Sequence, residues 1–171
     1  VETFLSATKE QLESRLNQVM QSVSFLLDRT EFDQARRLFG KIDGIGDDWV
    51  SADRTKFLLL EARFAEVDGD LRSMENKLKE ALNSDPLNGE VLVQLGSLHA
   101  DRDEDAKAMF YFERAYASEN HEYESLILAS QLLIDARRFS DAMDLLRRAA
   151  LLYPSDELKS LMERVQTASS Q

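Results

Sequence analysis

Histidine and cysteine, two of the side chains most often used in catalysis, are rare or absent in this sequence. The 171 residues include two histidines, His99 and His121, and no cysteine. Without thiols the chain can form no disulfide, no thiolate nucleophile and no thiolate metal site. No serine lies in the Gly-x-Ser-x-Gly turn of hydrolases, and no glycine-rich loop ends in the lysine of a phosphate-binding loop. The sequence therefore predicts no catalytic residue and no enzyme.

Two acidic runs and one glycine pair contain the residue types of a metal or phosphate site without its spacing. The runs are 43–48 and 101–105. A calcium loop combines carboxylates at alternate positions with a glycine and a closing glutamate, and neither run has that arrangement. Gly44-Ile45-Gly46 lacks a flanking lysine and strand. We therefore predict no metal and no cofactor, and we interpret both runs as solvated turns.

The net charge limits the classes of partner. The chain carries 32 acidic and 21 basic residues, a formal net charge of −11. Such a chain repels phosphate backbones, so we predict no binding to nucleic acid or to anionic membranes. A basic or neutral protein partner is favoured, although the charge also serves solubility.

The sequence contains no targeting or membrane segment. No apolar run approaches the 18 or more residues of a membrane span, and no signal peptide is present. We expect no direct membrane insertion, and the lack of cysteine suits the cytoplasm and the bacterial periplasm equally. Because the chain begins at Val1 and not at methionine, we interpret it as a mature or excised piece, with any anchor or neighbouring domain upstream.

A repeat of 34 residues organises the chain. Residues of related type line up at that step in several columns: Leu58, Leu92 and Leu126; Ala62, Gly96 and Ser130; Met74, Ala108 and Ala142; Leu78, Phe112 and Leu146; Ala81, Ala115 and Ala149; Pro86, Asn120 and Pro154. Thirty-four residues is the length of a two-helix hairpin repeat. The pattern therefore predicts an all-α fold of stacked hairpins, which forms extended surfaces and not catalytic pockets.

The repeat divides the sequence into segments of one predicted domain over residues 1–171. The period slips upstream of residue 55, where 42–49, which includes Trp49, is the predicted inserted loop. The segments are an N-terminal long helix and degenerate hairpin with that loop (1–49), three repeats (55–88, 89–122 and 123–156), and a capping helix and tail (157–171). The small residues Ala62, Gly96 and Ser130 are predicted where two helices approach closely.

Apolar residues near the N-terminus form a heptad-like seam. The seam comprises Leu5, Leu12, Leu16, Val19, Val23 and Leu26. It predicts one long helix that continues into the first hairpin. Two interpretations stay open: the seam packs within the repeat stack, or it is a surface for self-association.

These residues resemble the tetratricopeptide repeat (TPR) family. The best-matching repeat reads Leu92, Leu95-Gly96, His99, Ala108-x₃-Phe112, Ala115 and Asn120, against a pattern of Leu-Gly, an aromatic residue, Ala-x₃-Phe, Ala and Pro. His99 stands at the aromatic position, so we expect it in the core. Glu61 stands where the family has leucine, and two explanations stay open: the residue is half-buried, or the inserted loop rotates its helix. The resemblance implies a right-handed superhelical solenoid of antiparallel hairpins that acts as a non-catalytic protein-interaction scaffold.

The resemblance also implies a concave groove lined by the first helix of each hairpin. The groove residues carried over from the family are Met20, Leu59, Arg63, Val93, Ser97, Ile127, Gln131 and Ile134. A groove that is apolar with acidic edges predicts a partner peptide or helix that is apolar or flanked by basic residues. A clamp for a chaperone C-terminal carboxylate is not expected, because Arg63 is its only cation while Glu90 and Glu124 would repel the ligand.

The sequence leaves one alternative function and one alternative surface open. The alternative function is an oligomerisation or assembly module of a larger bacterial protein, held by an upstream membrane anchor, with a homodimer through the N-terminal helix. The alternative surface is the convex side, where Phe110 and Tyr111 are expected to point outward. Packing against the adjacent repeat explains the two aromatic residues more simply than a second binding patch.

Overall fold

Helices account for the regular structure in the part of the chain that the computed structural model describes. That part comprises residues 2–43, 54–118 and 120–170, with side chains from 15 to 41 in the first range. Its nine helices, with no strand among the described residues, are α1 (Glu2–Asp28), α2 (Phe32–Asp43), α3 (Arg54–Val67), α4 (Leu71–Ser84), α5 (Gly89–Ala100), α6 (Asp105–Ala115), α7 (Glu122–Asp135), α8 (Phe139–Leu152) and α9 (Asp156–Ala168). The predicted all-α class is confirmed.

Consecutive helices pack as hairpins, and the hairpins divide between two compact units. Unit 1 is Val1–Ser84 and contains the hairpins α1–α2 and α3–α4. Unit 2 is Asp85–Gln171 and contains the hairpins α5–α6 and α7–α8, with α9 packed on α8. The last three hairpins lie in the segments predicted for the three repeats. Of the predicted inserted loop (42–49), residues 44–49, which include Trp49, lie outside the described residues.

The core of unit 1 lies between α1, α2 and α3. Its buried members are Leu16, Met20, Val23, Leu27, Ala35, Phe57, Leu60 and Phe64. The ring of Phe39 stacks on Phe57 with centroids 4.9 Å apart and lies 5.0 Å from Phe64. Val19 and Leu26 also pack against this cluster. From Leu16 onward, the N-terminal seam therefore packs within unit 1. The side chains of Leu5 and Leu12 lie outside the described residues.

The core of unit 2 depends on small residues where helices meet. Gly96 on α5 faces Phe112 on α6, and a Cβ at Gly96 would lie 2.4 Å from the Phe112 ring. Ala108, Ala129 and Ala149 are fully buried. Helix axes can approach this closely only where side chains are absent or short. The predicted close approach at Gly96 is confirmed.

The turns within the hairpins each contain one residue with a left-handed backbone. Gly69 has φ 72° between α3 and α4, where glycine carries no Cβ penalty. The other three are not glycine: Thr30 (φ 59°), Asp103 (φ 57°) and Arg137 (φ 57°). At the C-terminal end, the Ser155 hydroxyl accepts a hydrogen bond from the Leu158 amide (3.1 Å), which caps α9.

Candidate protein-binding surface

In unit 1 the predicted groove residues are largely packed inside the unit. Met20 on α1 belongs to the core cluster and is 4 % exposed, and Leu59 on α3 is 7 % exposed. Side chains this deeply buried can form the floor of a surface but offer a partner little area. The burial follows from the position of both residues on helices that are apolar on more than one face, since α3 buries four consecutive residues from Phe57 to Leu60.

Arg63 on α3 is engaged by α1 in the same unit. Its guanidinium donates to the Ser24 hydroxyl (2.8 Å) and to the Asp28 carboxylate (2.6 Å). The Arg63 side chain is only about one-quarter exposed, so this ion pair is partly shielded from water. A partner carboxylate would have to compete with Asp28 for it.

In unit 2 the predicted groove residues lie on two helices that pack against each other, α5 and α7. We call this set the α5–α7 surface: Val93 and Ser97 on α5, and Ile127, Gln131 and Ile134 on α7. Val93 is 6 % exposed, the two isoleucines and Ser97 are half-buried, and Gln131 is exposed. The Gln131 amide donates to the Asp135 carboxylate (2.9 Å), one helical turn further along α7.

Carboxylates surround the α5–α7 surface. Glu90 and Asp101 flank the residues on α5, and Glu124 and Asp135 flank those on α7. All four are exposed, and none forms a salt bridge within the described ranges. The apolar positions are therefore bordered by charges that no lysine or arginine compensates, which favours a cationic partner.

The last helix shares a core cluster with α7 and α8. Leu158 and Val165 of α9 are buried in the same cluster as Leu126 and Leu146, and Ile127 and Ile134 pack against this cluster. A helix at the end of a repeat stack shields the apolar face that a further repeat would otherwise cover. The two isoleucines pack against this cluster and keep only part of their surface accessible.

Part of the sequence matches a family model, and the fold resembles a solved structure. Residues 106–165 match the family model of the tetratricopeptide repeat. The crystal structure of the MamA protein, 17 % identical, superposes with a TM-score of 0.62 over 90 % of this chain and 87 % of that chain. At that identity the likeness shows the fold alone, and it confirms the predicted helical repeat architecture. No curated protein matches the sequence.

The matched segment runs from α6 to α9, so it includes the whole α7–α8 hairpin and most of the capping helix. Tetratricopeptide repeats serve as protein-interaction modules, so this match agrees with the predicted role in protein–protein interaction. α5 lies before the matched residues, although its Gly96 occupies the small-residue position of the repeat.

His99 has a structural role in the repeat. It is 2 % exposed, and its Nδ1 lies 2.5 Å from the Glu104 carboxylate. Its ring stacks on that of Tyr111, with centroids 5.4 Å apart. The hydrogen bond from Lys107 lowers the pKa of Glu104 below its usual 4.5, and the hydrogen bond from His99 adds a smaller effect in the same direction. The prediction that His99 is a core residue is confirmed.

Two further features were looked for among the described residues, a cluster of metal ligands and a membrane-spanning helix. No group of three or more histidines and carboxylates among them could hold a metal ion. Within the same part of the chain, no helix is long and apolar enough to cross a bilayer.

Sequence reasoning did not identify an apolar cleft in unit 2 outside the α5–α7 surface. It is lined mainly by α6, with Met109 and Phe110, and by the end of α7, with Leu132. The outward position of Phe110 was the available signal, because periodicity placed Phe112 and Tyr116 in the core. That prediction is confirmed, since Phe110 is 53 % exposed.

Proposed function

We propose that the chain is a non-catalytic protein-binding module and that the α5–α7 surface binds a segment of a partner protein. The observation that supports this most is the combination of half-exposed Ile127 and Ile134 with uncompensated carboxylates around them. A segment with apolar side chains flanked by lysine or arginine complements both properties.

Because the residues differ in burial, we propose different roles for them. Val93 supports the α5–α7 surface from beneath, and Ile127, Ile134, Ser97 and Gln131 contact the partner. Met20, Leu59 and Arg63 belong to unit 1, where the first two are buried and Arg63 is paired with Asp28. Because the helices are held by their own core, the surface exists before binding and little conformational entropy is lost on association.

The proposal is tested by reversing the charge of the surface without disturbing the core. Glu124 and Gln131 are both exposed, so the double variant Glu124→Lys, Gln131→Arg should keep the wild-type helix content and melting temperature. The matched control is Glu163→Lys, Gln166→Arg, which makes the same charge change at exposed positions of α9.

Wild type, variant and control are each immobilised and used to capture partners from an extract of the source organism, with quantification by mass spectrometry. We expect at least one protein that wild type and control retain equally and that the α5–α7 variant loses. Equal recovery of every captured protein on all three forms would show that the surface is not the binding site.

The alternative role, an oligomerisation module that dimerises through the N-terminal helix, has less support. Four of the six seam residues, from Leu16 to Leu26, pack against the core of unit 1. Among the side chains of that helix that the structure describes, from residue 15 onward, Phe25 is a large apolar one that is exposed, at 59 %. Sedimentation equilibrium of wild type beside Phe25→Glu tests it: a dimer that this substitution dissociates would favour self-association, and a monomer at high concentration would exclude it.

A further inference from the structure

The apolar cleft in unit 2 has the form of a second docking site. It has a volume of about 460 Å³ and lies between α6, the end of α7 and the turn that follows α7. Met109, Phe110, Leu132 and Ala136 form its apolar lining, and Asp105 and Glu113 stand at its α6 side. None of these residues belongs to the α5–α7 surface, so the two surfaces can be changed independently.

Phe110 is presented to solvent in a fixed orientation. The Arg114 guanidinium lies 5.4 Å from the centre of its ring and also donates to the Pro86 carbonyl (2.8 Å). The edge of the Tyr111 ring lies against it, with centroids 5.3 Å apart. An exposed aromatic ring held by its neighbours loses little rotational freedom on binding, which is typical of residues that dominate an interface.

Two carboxylates line the α6 side of the cleft, and one arginine lines the opposite side. Asp105 and Glu113 are exposed, and neither forms a salt bridge within the described ranges. Arg138, on the opposite side, is already paired with Asp141 (2.8 Å). Asp105 also stabilises the N-terminus of α6 through the helix dipole, whereas Glu113, two turns later, has no such role.

The spacing of the two carboxylates defines the shape of the partner. They lie eight residues apart on one helix, which corresponds to about 12 Å at 1.5 Å per residue. Two cations seven or eight residues apart on a second helix span about the same distance, and the residues between them on the same face would enter the cleft. We propose that this cleft binds an amphipathic helix of a partner protein, whose apolar side chains pack on Phe110 and Met109 and whose lysine or arginine residues pair with Asp105 and Glu113.

The probe for this proposal is a synthetic helical peptide with a leucine stripe and two lysines seven residues apart. A second peptide carries glutamate in place of both lysines. The cleft variant is Phe110→Ala, Glu113→Lys, and the matched control is Leu151→Ala, Glu163→Lys, which removes an apolar side chain that is 86 % exposed and reverses an exposed acid outside the cleft. Titration calorimetry gives the dissociation constants.

We expect the lysine peptide to bind wild type and control alike and to bind the cleft variant about tenfold more weakly or worse. The glutamate peptide should not bind. The lysine-peptide titrations are repeated in the Glu124→Lys, Gln131→Arg background, which removes binding at the α5–α7 surface, and the cleft substitutions should weaken binding there by the same factor. Equal affinity of the lysine peptide for wild type and cleft variant, or equal affinity of the two peptides, would overturn the proposal. So would self-association of the chain that the cleft substitutions abolish, because the occupant would then be a second copy.

Circular dichroism is used to check that each variant retains the wild-type helix content. If the double variant does not fold, Glu113→Gln alone is compared with Glu163→Gln. The proposal then requires a smaller loss of affinity with added salt for Glu113→Gln than for Glu163→Gln, since one ion pair with the peptide is missing. Identical salt dependence would contradict it.

Discussion

At the scale of single residues, Tyr116 carries a polar group that the core of unit 2 does not satisfy. Its ring packs between two apolar clusters, and the Arg148 guanidinium lies 5.2 Å from the ring centre. Its hydroxyl is buried and has no hydrogen-bond partner among the described residues. A buried hydroxyl without a partner costs about 1–3 kcal/mol in lost hydration, so this position destabilises the native state.

Tyr116→Phe should therefore increase the free energy of unfolding, by about 1 kcal/mol. The substitution removes the hydroxyl and keeps the ring contacts. Tyr153→Phe is the control, since Tyr153 is exposed and the same change there should have no measurable effect. Urea denaturation gives both values, and a destabilised Tyr116→Phe variant would show that the hydroxyl has a partner in solution.

The same burial makes the protein sensitive to alkali. Desolvation, with a smaller contribution from Glu113, raises the pKa of Tyr116 from 10.0 to about 12, against the opposing effect of Arg148. The unfolded chain therefore loses this proton at lower pH than the folded protein does. As a result, the free energy of unfolding falls as pH rises from 10 to about 12. Absorbance titration of tyrosinate should show a late step that is missing in Tyr116→Phe. If both proteins gave the same late step, it would have to be assigned to another tyrosine.

Gly96→Ala and Gly40→Ala should change stability in opposite directions. At Gly96 the new methyl group would overlap the buried Phe112 ring, and overpacking of this kind costs about 1–3 kcal/mol. At Gly40, inside α2, nothing lies within 4 Å of the added Cβ, so alanine should gain about 0.5–1 kcal/mol of helix propensity. Thermal and urea denaturation report both changes, and a neutral Gly96→Ala would mean that α5 and α6 separate easily.

At the scale of the helices, the turn between α5 and α6 depends on one carboxylate. Glu104 precedes α6 and accepts hydrogen bonds from the Lys107 ammonium (2.9 Å) and from buried His99. It thereby connects the end of α5 to the first turn of α6. The isolated helices are too short to be stable alone, so contacts of this kind help to define the hairpin.

Glu104→Gln should lower the melting temperature at neutral pH and should reduce its dependence on acid pH. The pKa of Glu104 is below 4.5 in the folded protein, so its contribution is present above 4.5 and is lost as pH falls through the lowered pKa. The difference from wild type should therefore be present at pH 7 and vanish in strong acid. Glu163→Gln, at an exposed site, should show no difference at either pH, and a difference for Glu104→Gln that persists in strong acid would contradict the explanation.

The sequence predicted the fold because its information is local and repeated. Each hairpin carries its own apolar spacing, so the columns around Gly96 and Phe112 predict both the helices and their close approach. The depth at which Leu59 is buried depends on how neighbouring helices pack, and the pairing of Arg63 with Asp28 joins residues 35 positions apart. The cleft beside Phe110 likewise forms only when the end of α7 approaches α6. Features of this kind have no period and could not be predicted.

At the scale of the whole molecule, acidic residues outnumber basic ones in both compact units. A cationic partner is therefore attracted to either unit before it makes contact, and this attraction is screened by salt. The apolar contacts at the α5–α7 surface and in the cleft are not screened in this way. Long-range attraction and short-range packing should thus be separable experimentally.

Binding of the lysine peptide should weaken as salt is raised from about 0.1 M to about 1 M, because the screening length falls from about 10 Å to about 3 Å. The association rate should account for most of the loss, since screening affects the approach of the partner more than its release. Stopped-flow fluorescence at several salt concentrations measures both rates. An association rate that is independent of salt would show that the net charge of −11 serves only solubility.

The left-handed residues of three turns have a consequence for how the protein can evolve. A left-handed backbone at a residue other than glycine costs about 1–2 kcal/mol, and the branched side chain of Thr30 is an unusual choice there. Natural proteins are selected to stay above a stability threshold and not to reach a maximum. At Thr30, Asp103 and Arg137 a mutation to glycine should therefore stabilise the protein. Such a mutation would compensate for a destabilising mutation elsewhere, so these turns increase the number of mutations that the protein can tolerate.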